Sequence, residues 1–139
     1  MSSVSLDTVT QLARIAFLLG AVTDGLAILP MLSRRVGAAL FGGNSSRSHH
    51  EYRYAMGIGA SLMAGWTLLL LWGAASPLER RAILVLTIFP VITGIVAATV
   101  LAVRRGVIRL SHAIPLWAHL GAVSVFYAVV YVLLGRFAP

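Results

Sequence analysis

The sequence predicts an all-α integral membrane protein, a four-helix bundle with antiparallel up-and-down connections and one transmembrane domain over residues 1–139. Three observations predict it. Hydrophobic residues make up 59% of the chain and charged residues only 11%, against about 25% charge in soluble domains. A chain this apolar cannot cover a water-facing surface, so its solvent is a lipid bilayer. Four stretches reach the roughly 20 mostly apolar residues that a helix needs to cross the hydrocarbon. The arginines cluster mainly at the ends of those stretches, as expected at membrane boundaries. Strand-type alternation is absent, which argues against a lipid-facing barrel.

The first span is expected over 12–33. Thr8-Val-Thr-Gln11 is a candidate capping box before it, with the hydroxyl bonding an orphan N–H and the amide bonding back. Arg14 lies close enough to the start to snorkel. A cleavable leader is the rival for this segment, with Ile15–Val22 as its apolar core and cleavage after Thr23. The region before Arg14 is not basic and the apolar run resumes after Gly25, so the leader pattern fits less well.

The second span is expected over 54–75, behind a candidate capping box at Ser48-His-His-Glu51. The third is expected over 82–103. Ser76-Pro-Leu-Glu79 before it carries the clearest start signal, with proline at the first helical position. The fourth is expected over 113–134, with Ser111 as its cap. The connections 75–81 and 104–112 are short. The connection 34–53 is longer, holds the flexible Gly-Gly-Asn-Ser-Ser, and has an apolar piece, Val36–Phe41, suited to lie on the membrane surface. Pro30 and Pro90 interrupt the first and third spans, each removing a backbone bond. Thr87 and Thr93 flank Pro90 and can satisfy carbonyls there.

All eleven basic residues besides histidine are arginine. Seven (Arg34, Arg35, Arg47, Arg53, Arg104, Arg105, Arg109) fall in the first and third connections, and four (Arg14, Arg80, Arg81, Arg136) fall on the other side. The positive-inside rule then places both termini outside the cytoplasm. This distribution also explains the net charge of +7 without a nucleic-acid partner. The use of Ala, Gly, Val and Arg, without lysine, suggests a GC-rich bacterial genome and hence a bacterial cytoplasmic membrane. The layout resembles small four-helix bacterial membrane proteins.

Lipid gives helices no hydrophobic reason to associate, so small residues that allow close approach matter. The first span has Ala16, Gly20 and Asp24 at four-residue spacing. The second has Gly57, Ser61 and Gly65, and the third Gly94, Ala98 and Ala102. The fourth has Ala118 with Ala122 and Ser124 with Ala128. Tight packing within one bundle is the plainer expectation for these stripes, and a homo-oligomer the sharper one.

Asp24 is the costly residue. A charged carboxylate near the bilayer centre costs roughly 2.5–3.5 kcal/mol even on the mildest scale. Asp24 stands about 12 residues into its expected span, or ~18 Å at the helical rise. His119, in the antiparallel fourth span, shares that broad depth, as do Ser61 and Thr93. Asp24, His119, Ser61 and Thr93 therefore form a candidate buried polar cluster. One role for it is structural, fixing how helices dock. The other is a proton or cation relay through Asp24 and His119, since an intramembrane acid marks function by default.

Other chemistry finds little support. The chain has no cysteine, which excludes disulfides, thiolate metal sites and cysteine nucleophiles. His112 and His119 are too far apart along one helix to share a metal. His49 and His50 are adjacent and point about 100° apart, poor for chelation. Glu51 and Glu79 lie on opposite sides. No phosphate-binding glycine loop or nucleophile–base pair appears, so no cofactor, metal or catalytic residue is assigned. Tyr52, Tyr54, Trp72, Trp117 and Phe137 read as interfacial anchors, and Tyr127 and Tyr131 share a face of the last span.

The sequence thus favours a compact interaction or accessory protein of the membrane. Its partners are the lipid bilayer and either copies of itself or another membrane protein. A small transporter or channel subunit using Asp24 and His119 is the main alternative. A membrane enzyme acting on a lipid or quinone is the third.

Overall fold

The structure, a computed structural model, describes residues 5–33, 35–36 and 50–137. Every regular element among them is helical. Four helices are long and apolar enough to cross a membrane: Leu6–Leu32, Arg53–Ala75, Ala82–Arg104 and Leu110–Gly135. The chain is a multi-pass membrane protein of the four-helix bundle class, as its composition predicts.

Helix α1 (Leu6–Leu32) begins earlier than expected. Ser5 is the cap, in extended backbone, and its Oγ accepts the Thr8 N–H at 3.2 Å. Thr8 Oγ1 lies 2.8 Å from Ser5 Oγ, so it stands where a capping box would place its acid or amide. The candidate box at Thr8–Gln11 is therefore not the helix start. Ser5 comes first in the chain, and Asp7 in the first turn favours the helix N-terminus. Pro30 does not end α1, which runs on to Leu32 before the Ser33 N–H closes on the Leu29 carbonyl at 2.8 Å.

Helix α2 (His50–Ala75) follows. The capping box expected at Ser48–Glu51 and the side chains of His49, His50 and Tyr52 lie outside the described residues, as does all of Val36–Phe41 except Val36. After α2 the chain turns through residues 76–81. The Arg80 N–H bonds the Ser76 carbonyl at 3.1 Å, and the Arg80 guanidinium sits 3.8 Å over the Trp72 ring and bonds the Trp72 carbonyl. The capping box expected at Ser76–Glu79 does not form. The next helix, α3 (Ala82–Leu86), begins after Arg81 with no side-chain cap, because the segment is spent on a closed turn.

The third span breaks at Pro90, as its sequence requires. Between α3 and α4 (Thr93–Arg104), residues Thr87–Ile92 form a wider turn in which Phe89 is extended, at φ −132° and ψ 102°. The residue before proline is forced out of the helical region by the ring. Both flanking threonines act on carbonyls: Thr93 Oγ1 donates to Pro90 O at 3.2 Å and Thr87 Oγ1 to Ile83 O at 2.8 Å. Helix α4 ends on Gly106 at φ +67°. Its N–H and that of Val107 close on the Val103 and Ala102 carbonyls, a left-handed cap that glycine adopts without strain.

Helix α5 (Leu110–Gly135) starts after Arg109, without a side-chain cap. Ser111, expected to be that cap, already lies inside the first turn, with its Oγ 3.4 Å from His112 Nδ1. The helix passes through Pro115.

Packing is uneven along the membrane normal. Helix α1 lies antiparallel on α2: Phe17 fills the space over Gly73, Gly25 faces Thr67, and Met31 reaches Gly59. It meets α5 where the Tyr127 hydroxyl covers Gly20. The buried core includes Val9, Ala13, Ala16, Phe17, Leu70, Leu84, Tyr127, Val130 and Leu134. All of these belong to the half of the bundle that holds the start of α1, the 76–81 turn and the end of α5. The other half is open. A Cβ built at Gly57, Gly65, Gly94 or Gly121 meets nothing within 4 Å, and Thr99 is the one fully buried residue of α4.

The expected packing stripes separate on this point. Gly20, with Ala16, lies inside the bundle. Gly65, Ser61, Gly94 and Ala98 are exposed, and Gly57 is half-buried with no neighbour over it. The bundle instead uses Gly59 and Gly73 of α2, which the four-residue spacing does not mark.

Candidate functional site

Asp24 sits at the floor of the open half. Two turns of α1 toward the closed end lie Phe17 and Gly73, and beside Asp24 lies the contact of Gly25 with the Thr67 methyl, 3.8 Å from an added Cβ. The carboxylate is partly shielded, and its Oδ2 is buried with no hydrogen-bond partner among the described residues.

The hydroxyls and the indole around this level are otherwise committed. Thr23 Oγ1 donates to Leu19 O at 2.8 Å and Thr67 Oγ1 to Met63 O at 2.9 Å. Ser124 Oγ donates to Leu120 O at 2.8 Å. Trp66 Nε1 donates to Thr87 Oγ1 at 3.3 Å, which ties α2 to the third span. Buried polar atoms in hydrocarbon need such partners because lipid supplies none.

Tyr127 is the exception. Its side chain is fully buried, and its hydroxyl has no partner among the described residues. The hydroxyl lies over Gly20, one helical turn from Asp24 on the same face of α1. Asp24 and Tyr127 are thus two polar groups without a partner among the described residues, brought to one face of α1 because residue 20 has no side chain to displace the Tyr127 hydroxyl.

The residues expected to join Asp24 are placed elsewhere. His119 is exposed on the outer side of α5. Ser61 is exposed, and its hydroxyl donates to Gly57 O at 3.0 Å on its own helix. Thr93 is exposed and bonded to Pro90 O. The structure therefore does not bring His119, Ser61 or Thr93 to the carboxylate. Tyr127 takes the place given to His119. The signal for it is a seven-residue period in α5: Ala113, Leu120, Tyr127 and Leu134 are all buried, and that face turns His119 outward by about 100° relative to Leu120.

Among the anchors, Trp72 carries Arg80 and Tyr131 faces Arg81 at 5.7 Å. Trp117 differs from an interfacial anchor in one respect: its Nε1 is buried without a partner among the described residues. No group of three metal-ligating side chains occurs among the described residues.

Neither a family model, a curated protein nor a solved structure matches this chain. The reading of function therefore rests on the chain's own geometry.

Proposed function

We propose that this chain is a compact accessory protein of a bacterial cytoplasmic membrane that works by assembling with membrane helices, foremost copies of itself. The observation that carries this reading is the outward small-residue face of α2. Gly57, Ser61 and Gly65 form a stripe that no described residue of the bundle packs against. Its Gly57 and Ser61, together with Tyr54, Ile58 and Leu62, line a shallow groove. Small residues at four-residue spacing let two helix backbones approach closely, and van der Waals packing then replaces the hydrophobic drive that lipid lacks. Both termini lie outside the cytoplasm in this reading, with the seven-arginine side inside.

Native mass spectrometry of gently extracted protein tests the assembly. A defined oligomer is expected, and it should dissociate to monomer in Gly65→Leu. A wild-type protein that stays monomeric in bilayer-like nanodiscs as well would sink the reading. Single-cysteine labelling of the cysteine-free chain, at Ser5 and at Gly106, tests orientation: Ser5→Cys should react from outside and Gly106→Cys should not.

A second reading, a small transporter or channel subunit, draws on the unpaired Asp24 and Tyr127 at the floor of the open half. Its transported species would approach from the side of Arg104, Arg105 and Arg109. Flux across liposomes that is lost in Asp24→Asn would support it.

A further inference from the structure

We propose that Asp24 and Tyr127 form a mid-membrane proton-binding site, in which the carboxyl of α1 takes up a proton and shares it, through one bridging water, with the phenol of α5. The inference gives the second reading above its site and its ligand class. It does not depend on the chain's assembly.

The argument is an accounting of polar atoms. At this depth each hydroxyl of Thr23, Thr67, Thr87 and Ser124 already donates to a carbonyl of its own helix, and the Trp66 indole to Thr87. Among the described residues at this level, Asp24 Oδ2 and Tyr127 Oη remain without a partner. Both atoms are buried, and the Tyr127 hydroxyl lies over Gly20, one helical turn from Asp24 on the same face of α1. A metal cation would need more ligands: even magnesium or calcium takes six or more oxygens, and the neighbouring hydroxyl oxygens are already turned to their own helices. A nucleophilic or redox role has no partner group. A proton needs one acceptor and one hydrogen-bonding neighbour, which is what this pair supplies. On uptake the proton adds to a carboxylate oxygen and the charge of Asp24 falls from −1 to 0, with no other bond made or broken. The protonated carboxyl donates to the water, and the water donates to Tyr127 Oη or accepts from it.

The groups that face Asp24 do not compete for the proton. Helix α2 brings Thr67 beside Gly25 and α5 brings Tyr127 over Gly20, and neither carries a charge. His119 faces outward, and the chain's other acids, Asp7, Glu51 and Glu79, belong to helix starts or turns near the membrane boundaries. Tyr127 also fixes the geometry from the other side. It packs in the buried face Ala113, Leu120, Tyr127 and Leu134, so its hydroxyl is held over Gly20 while Asp24 adjusts.

Infrared difference spectroscopy of the full chain in liposomes, stepped through bulk pH, tests the site. A carbonyl stretch of a protonated carboxyl should appear and disappear with pH. It should be lost in Asp24→Asn, shifted in frequency in Tyr127→Phe, and unchanged in His119→Ala. A band that survives Asp24→Asn, or one that Tyr127→Phe leaves unshifted, overturns the proposal. Should Asp24→Asn fail to fold, carboxyl-labelled aspartate read by solid-state NMR replaces it. The label then reports Asp7 and Asp24 alone, and a buried signal that ignores Tyr127→Phe overturns the proposal equally. Loss of liposome proton flux in Asp24→Asn separates transport from binding: a titrating carboxyl without flux upholds the site while removing the transporter reading.

Discussion

At Gly20 the absence of a side chain decides which helices can meet. The Tyr127 hydroxyl occupies the position a Cβ would take, and Leu70 Cδ1 lies 3.2 Å from it. Gly20→Ala must move Tyr127, and overpacking of this kind costs about 1–3 kcal/mol. The same substitution at Gly121, where a Cβ meets nothing within 4 Å, should be neutral or stabilise by up to about 1 kcal/mol through helix propensity. Reversible unfolding in mixed micelles measures both. The decisive comparison is the double variant: with Tyr127→Phe, which removes the obstructing oxygen, Gly20→Ala should lose much of its cost, and a strictly additive cycle would show that the contact is not the cause. At Gly73 the flaw differs in kind. A Cβ there lies 2.5 Å from Phe17 Cε1, and an aromatic ring in a filled core cannot step aside, so Gly73→Ala should destabilise without rescue by Tyr127→Phe.

Among the elements, the helices were legible in the sequence and their exact starts were not. Apolar length and the arginines at the ends locate every helix, because the bilayer imposes one requirement on all of them. Start signals are weaker because each needs only one hydroxyl, and serine and threonine occur at several nearby positions. Ser5 wins over Thr8, Ser111 falls inside its helix, and Ser76 is drawn into a turn held by Arg80 on Trp72. Ser5→Ala should therefore cost about 1 kcal/mol, while Ser111→Ala should change stability little. Amide exchange of the first turns of α1 and α5 reads both, and equal loss of protection would contradict the assignment. The site was half legible. Asp24 stood out by cost alone. Its partner did not, because α5 is apolar on every side, so hydropathy cannot say which face turns inward, and depth alone admitted His119. The breaks at Pro90 and Gly106 could be read more safely, since ring sterics and a positive φ belong to one or two residues rather than to a face.

On the scale of the whole molecule the contrast between a closed and an open half governs what the bundle can do. The closed half buries Phe17, Leu70, Leu84 and Tyr127. In the open half Ser61 and Gly65 of α2 and Gly94 and Ala98 of α4 face outward, and α4 buries little besides Thr99. Local opening is cheapest where buried contacts are few, so amide exchange in micelles should be slowest over residues 13–21 of α1 and 127–134 of α5, and faster over α4 and the first half of α2. The same measurement reports on assembly. If copies of the chain meet through Gly57, Ser61 and Gly65, protection of the first half of α2 should rise with protein concentration, while that of residues 13–21, already enclosed, should not. In Gly65→Leu, whose side chain projects into open space in the single bundle but would hold two helices apart, the concentration dependence should vanish and the closed half should keep its protection. Protection of α2 that is independent of concentration in the parent chain, or equally dependent in Gly65→Leu, would mean that this face meets lipid alone.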